Sequence, residues 1–140
     1  MTWPPFILSA LMGDEGFRSR LYRDSVGKWT GGYGHNFDDN PLTLDDAKYF
    51  LVNDIDRAST QLDAKLPWWR TLDDVRQGVL LNMCFNMGIL RLMGFQRTLM
   101  AIQNGNFETA AQEMLDSRWA QQVGQRAIRL AQEMKTGVTA

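Results

Sequence analysis

The stretch DEGFRSRLYRDSVGKWTGGYGHNF, from Asp14 to Phe37, holds five glycines, paired acids nine residues apart (Glu15 and Asp24) and the only histidine of the chain, His35. From Leu21 onward its aromatic and β-branched residues are punctuated by glycine, which suits short strands and tight turns, with SVGK as the best turn. On both sides the pattern is helical. Pro5 opens FILSALMGDEG, a first-turn proline leading a helix that ends near Gly16. Thr43 begins TLDD, a capping-box-like start with Asp at the third position. Apolar residues then recur at Leu44, Ala47, Leu51, Ile55, Ala58, Leu62 and Leu66, steps of three and four that predict one buried stripe on a long helix stopped by Pro67. Thr71 repeats the TLDD device ahead of a run that is apolar almost all round from Val79 to Met87. That run predicts a central buried helix closed by Gly88. Further capped helical segments follow to the end. A helical body with one small β-rich excursion is an α+β arrangement, predominantly helical.

At 140 residues the chain has the length of one domain with a real core. A formal net charge of −1 gives no basic footprint for nucleic acid. Six aspartates and one lysine lie between Asn36 and Asp56, while ten basic and seven acidic residues lie from Arg57 onward; a solvated helix face accounts for this unevenness. Cys84 sits in an apolar run and reads as a small core residue. No segment approaches the roughly 20 apolar residues of a membrane span. The opening MTWPPFILSALMG has no basic leader and is interrupted by Pro4-Pro5, so no secretory signal is expected. The expected setting is a reducing cytoplasm, with another agent carrying the protein to any substrate outside.

Chemistry concentrates in the excursion. Glu15 falls at the predicted C-terminal end of a helix, where the dipole and any burial favour the protonated acid. Asp24 lies in a polar segment rich in Arg and Ser that suits the ionised form. Two carboxyls pushed apart by their surroundings fit acid/base division of labour, and paired acids flanking a cleft are what glycoside hydrolysis needs. Taken alone, a Glu and an Asp at this spacing are a weak signal. A metal role for His35 is weaker still, because no second His or Cys stands at ligand spacing; a histidine held by a carboxylate is expected.

The combination EG…YRD…G.WTGGYGH resembles the active-site segment of the phage lysozymes, glycoside hydrolase family 24 of T-even type, with every interval matched. The resemblance resumes through NMCFNMG, GFQRTL, AAQEML and SRWAQQVGQRAIRLAQEMKTG, nearly to the end of the chain. It implies a single lysozyme-like domain of two lobes around a cleft: a β-hairpin lobe over about residues 14–50, and a helical lobe of 1–13 and about 51–140. It implies a muramidase, an endolysin cleaving the β-1,4 bond between N-acetylmuramic acid and N-acetylglucosamine, with Glu15 as general acid and Asp24 and Thr30 positioning water for inversion. Asn86, Phe95, Trp119 and Arg126 carry over as substrate-binding positions, Arg126 as the arginine that reaches toward the catalytic glutamate. A packing role for Trp119 is at least as strong. His35 and Asp54 carry over as scaffold, expected to face one another.

No metal or organic cofactor is implied. The implied partner is the peptidoglycan glycan strand, reached in the periplasm through a holin-type lesion by a monomer without stable membrane insertion. Two alternatives compete: a lytic transglycosylase, which would not need Asp24 with Thr30, and a non-catalytic wall-binding or virion module, whose mark would be loss of Glu15. One departure stands out. The chain between His35 and Thr43 is short for the family, which predicts a β-lobe lacking a strand and loop.

Overall fold

The computed structural model describes residues 2–140. Two compact units divide the chain, Met1–Phe50 and Leu51–Ala140.

The first unit opens with helix α1 (Pro5–Glu15), whose N-cap is Pro4 and whose end is Gly16, at φ +71° with its N–H on the Met12 carbonyl. Three antiparallel strands follow in the order β1 (Arg18–Arg23), β2 (Trp29–Gly32) and β3 (His35–Asn36). The register Arg18↔Gly32 and Tyr22↔Thr30 sets four steps on β1 against two on β2, so the first strand carries a bulge. Asp24–Lys28 form the β1–β2 turn, with SVG at its tip as the sequence predicts. Asp24 N–H donates to the Lys28 carbonyl at 2.9 Å and Gly27 N–H to the Asp24 carbonyl at 3.0 Å. Gly27 stands at φ +86°, the left-handed region that favours glycine. Arg23 braces the turn, donating to the Gly27 carbonyl and lying 4.2 Å over the Trp29 ring. Beyond β3, Asp38 accepts the Trp29 N–H at 2.8 Å and Asp39 pairs with Lys28 at 3.0 Å. Asp38 and Asp39 thus tie the segment after β3 to β2 and to the turn before it.

Helix α2 (Leu44–Lys65) runs across the division between the units. Its start is a reciprocal capping box: Thr43 Oγ1 accepts the Asp46 N–H at 3.1 Å, and Asp46 accepts the Thr43 N–H at 3.0 Å. The predicted stripe is buried only at Ala58, Leu62 and Leu66, while Leu44, Leu51 and Ile55 are exposed. A 3.6-residue period marks which residues share a face, but not how far along the helix a neighbour covers it.

After Pro67 the chain makes a 3₁₀ turn (Pro67–Thr71) before α3 (Asp74–Met87), and this corrects the expected cap. Thr71 ends the turn with its hydroxyl on the Trp68 carbonyl, and Asp73 is the N-cap, accepting Arg76 N–H at 3.1 Å. Five-residue α4 (Ile89–Met93) and helices α5 (Gln96–Gln103), α6 (Phe107–Leu115), α7 (Arg118–Val123) and α8 (Gln125–Thr136) complete the second unit. Helix α8 packs on α3, α6 and α7, and α6 packs also on α5. Leu80, Met83, Leu92, Ile102, Met114, Leu130 and Met134 fill the core between them. Helix α3 is buried on one side, at Val79, Leu80, Met83, Cys84 and Met87, rather than all round, with Phe85 44% exposed. Cys84 is buried as the sequence suggests. Arg76 ties α3 to the end of α8, donating to the carbonyls of Met134 and Lys135 while its guanidinium stacks 3.6 Å over Phe107.

Candidate active site

In the first unit, Glu15 is the last residue of α1 and is exposed. Its carboxyl lies against the backbone of Gly34, the residue between Tyr33 and β3: a Cβ at Gly34 would stand 2.5 Å from Glu15 Oε2.

Asp24 organises the β1–β2 turn. Its Oδ1 accepts two backbone N–H groups, from Val26 at 3.0 Å and from Lys28 at 2.9 Å, a local side-chain-to-backbone pattern typical of aspartate at a turn. Oδ2 takes no hydrogen bond from the described residues. Thr30 follows on β2 and is 4% exposed, with its hydroxyl donating to the Lys28 carbonyl at 3.0 Å. Lys28 thus joins the two side chains through its own backbone: its N–H holds Asp24 and its C=O holds Thr30. The Lys28 ammonium is turned to Asp39, which raises its pKa above the ordinary lysine value through the hydrogen bond and the opposite charge. His35 presents Nε2 to the Asn40 carbonyl at 2.9 Å and packs edge-on against Phe37. Among the described residues there is no cluster of metal-ligating side chains.

In the second unit, Trp119 donates from Nε1 to Asn86 Oδ1 at 2.8 Å, and its ring meets Phe95 edge-on at 6.2 Å. Asn86, Phe95 and Trp119 are therefore brought together, Trp119 from the core side at 2% exposure. Phe95 lines a recess of about 400 Å³ with Arg97, Glu113 and Asp116. Arg126 is half-buried and donates from Nε to Asn82 Oδ1 at 2.9 Å. Both line an apolar recess of about 330 Å³ with Leu51, Ile55 and Phe85. Asp54 pairs with Arg57 at 2.7 Å.

Sequence reasoning passed over Asn82, Lys28 and Gly34. The signal for Asn82 was available, since Asn82 and Asn86 stand four apart on α3 and so share a face. For Lys28 the signal was the Asp-x-x-Gly turn, which points the following backbone amides at the aspartate. Nothing in the sequence of Gly34 distinguishes it from the neighbouring glycines.

The family model for phage lysozyme matches residues 13–133, most of the chain. The chain belongs to the phage lysozyme family. Membership makes it a lysozyme-like glycosidase, and the catalytic fold is the α+β arrangement described above. Probable T4-type lysozyme 1 of Dictyostelium discoideum is 23% identical over 94% of this chain and 94% of its own length. Probable T4-type lysozyme 2 of the same organism is 26% identical over 89% of this chain and 90% of its own. The pre-baseplate central spike protein Gp5 of Enterobacteria phage T4 is 30% identical over 91% of this chain, which spans 27% of that longer protein.

Proposed function

We propose that this member of the family is a peptidoglycan muramidase that cleaves the β-1,4 bond between N-acetylmuramic acid and N-acetylglucosamine with inversion. Glu15 is the general acid, Asp24 the general base, and Thr30 orients the water. The observation that carries the reading is the hydrogen-bond state of Asp24 and Thr30. Asp24 Oδ1 is held by two amides, so Oδ2 is the oxygen left to take a proton. The Thr30 hydroxyl gives its one proton to the Lys28 carbonyl, so its lone pairs remain acceptors. A water between them has both protons directed and its own lone pair free for the sugar C1.

In the reaction, Glu15 protonates the glycosidic oxygen as the C1–O bond breaks, the water oxygen bonds to C1, and its proton passes to Asp24. Exchange with solvent after product release restores both groups. An inverting enzyme needs about 6.5–9.5 Å between its carboxyls, and a retaining one about 5–5.5 Å. Asn86, whose oxygen is occupied by Trp119, would offer its amide protons to the glycan, with Phe95 as the adjoining apolar wall. Arg126, fixed through Nε, keeps its terminal nitrogens for substrate oxygens. His35 and Asp54 are scaffold.

Digestion of purified sacculi followed by mass spectrometry tests the bond and the reaction class. Reducing N-acetylmuramic acid ends are expected; 1,6-anhydro ends would assign a transglycosylase, and wall binding without released products would leave only a non-catalytic module. Proton NMR of the first turnovers should show the α-anomer, and a β-anomer would overturn inversion. As a free lysozyme the protein would act as a monomer, made in the host cytoplasm and reaching the periplasmic wall through a holin-type lesion. No described helix is long and apolar enough to cross a membrane. Similarity to the central spike protein favours a second setting, a lysozyme carried on the virion. Mass spectrometry of purified particles decides between the two: its presence in washed particles assigns the virion.

A further inference from the structure

Glycine at position 34 does something for Glu15 that no other residue type could do. Gly34 stands at φ +72°, and a Cβ there would lie 2.5 Å from Glu15 Oε2, 2.9 Å from Cδ and 3.3 Å from Cγ. Carbon contacts are favourable at about 3.5–4.0 Å. The Glu15 carboxyl therefore occupies the volume that any L side chain would claim. Gly32, two residues earlier, has a similar φ of +62°, yet nothing lies within 4 Å of where its Cβ would be. Both glycines have a φ that L side chains rarely adopt, and they differ in what faces them.

We propose that Gly34 is a positioning residue for the catalytic acid, its bare Cα forming the wall against which the Glu15 carboxyl is seated. This rests on the reading of Glu15 as the general acid. Glu15 is exposed at the end of α1 and makes no described hydrogen bond or ion pair, so steric seating is the restraint the structure offers its carboxyl. A side chain at position 34 is accommodated by swinging that carboxyl aside, because the clashing atoms are the far end of a flexible side chain. Folding then pays little for the contact, while the acid is moved off the glycosidic oxygen. A misplacement of about 1 Å costs on the order of 100-fold in rate.

The test compares Gly34→Ala, Gly34→Asn, Gly32→Ala and Glu15→Gln in the full chain, reading Tm, kcat and KM on soluble uncross-linked glycan strands. Gly34→Ala and Gly32→Ala should lower Tm alike, since both place a Cβ in the left-handed region. Of these two alanine variants, Gly34→Ala alone should lower kcat, by roughly 100-fold with KM unchanged. Gly34→Asn guards against a folding failure, because asparagine tolerates this φ while keeping the Cβ; its Tm should stay closer to wild type and its kcat should fall equally. Position 34 has no such role if kcat in its variants matches Gly32→Ala, or if the loss appears in KM. A fully active Glu15→Gln would instead overturn the acid assignment beneath it.

Discussion

The turn-holding role of Asp24 and its proposed role as base can be separated by substitution. One oxygen holds the turn and the other is free to take a proton. Asp24→Asn can keep its carbonyl oxygen on the Val26 and Lys28 amides while replacing the base oxygen with an NH₂ group. We expect near wild-type stability and a rate loss of roughly 10²–10⁴-fold in sacculus digestion. Asp24→Ala should lose the rate and also about 1–3 kcal/mol in urea unfolding, the net value of two hydrogen bonds. If both variants unfold at the same denaturant concentration, Asp24 does not hold the turn. As candidates, Glu15 and Asp24 stood out in the sequence only as a weak carboxyl pair, and Thr30 joined them through the family resemblance of the whole segment. Gly34 did not stand out, because its meaning depends on the carboxyl across from it. The Lys28 backbone has no side-chain signature of its own, and the one signal for it is the Asp-x-x-Gly turn that precedes it.

A side-chain capping signature located the start of α2 and misplaced the start of α3. The Thr43–Asp46 capping box could be read because both partners are encoded three residues apart. Thr43→Ala should cost about 1 kcal/mol in thermal or urea unfolding. The Thr43 backbone N–H, then its hydroxyl, hold the Asp46 carboxyl below its ordinary pKa. A carboxylate with a lowered folded pKa stabilises the fold above its unfolded value of 3.8, and that contribution is lost as pH falls through the lower folded value. Asp46→Asn should therefore flatten the acid limb of the Tm–pH profile, and an unchanged limb would remove the box from the account. Asp63 lies under the same rule, held low first by Arg70 and then by the Trp69 indole. The second TLDD failed as a cap because Pro67 imposes a 3₁₀ turn that uses up Thr71 and leaves the role to Asp73. The α2 stripe was right in phase and wrong in extent, since periodicity carries no information on where a partner helix ends.

Across the whole molecule, every buried hydrophobic side chain described lies between Ala58 and Met134. The first unit buries Thr30 and Gly31 and otherwise relies on hydrogen bonds, turns and cation–π contacts. Local opening free energies should follow this division. In native-state hydrogen exchange, amides of β1 and β2 should exchange by low-energy local opening, and those of α3 and α8 only near the global limit. Equal protection in sheet and helices would contradict this distribution. Leu80→Ala should cost about 2–5 kcal/mol, read by urea unfolding, with little change in the Asp24 turn.

The separation of buried and reactive residues along the chain also bears on how readily the protein can change. Proposed acid, base and water-orienting groups lie at or before Thr30, and the core begins at Ala58. Proteins generally sit just above a stability threshold, so reserves accumulated in one region let another absorb destabilising novelty. Here the helices after Ala58 can supply that reserve by repacking methionines and leucines, far in sequence from the segment that bears the chemistry. The short β excursion is then the part of the gene where new glycan preferences can be tried first.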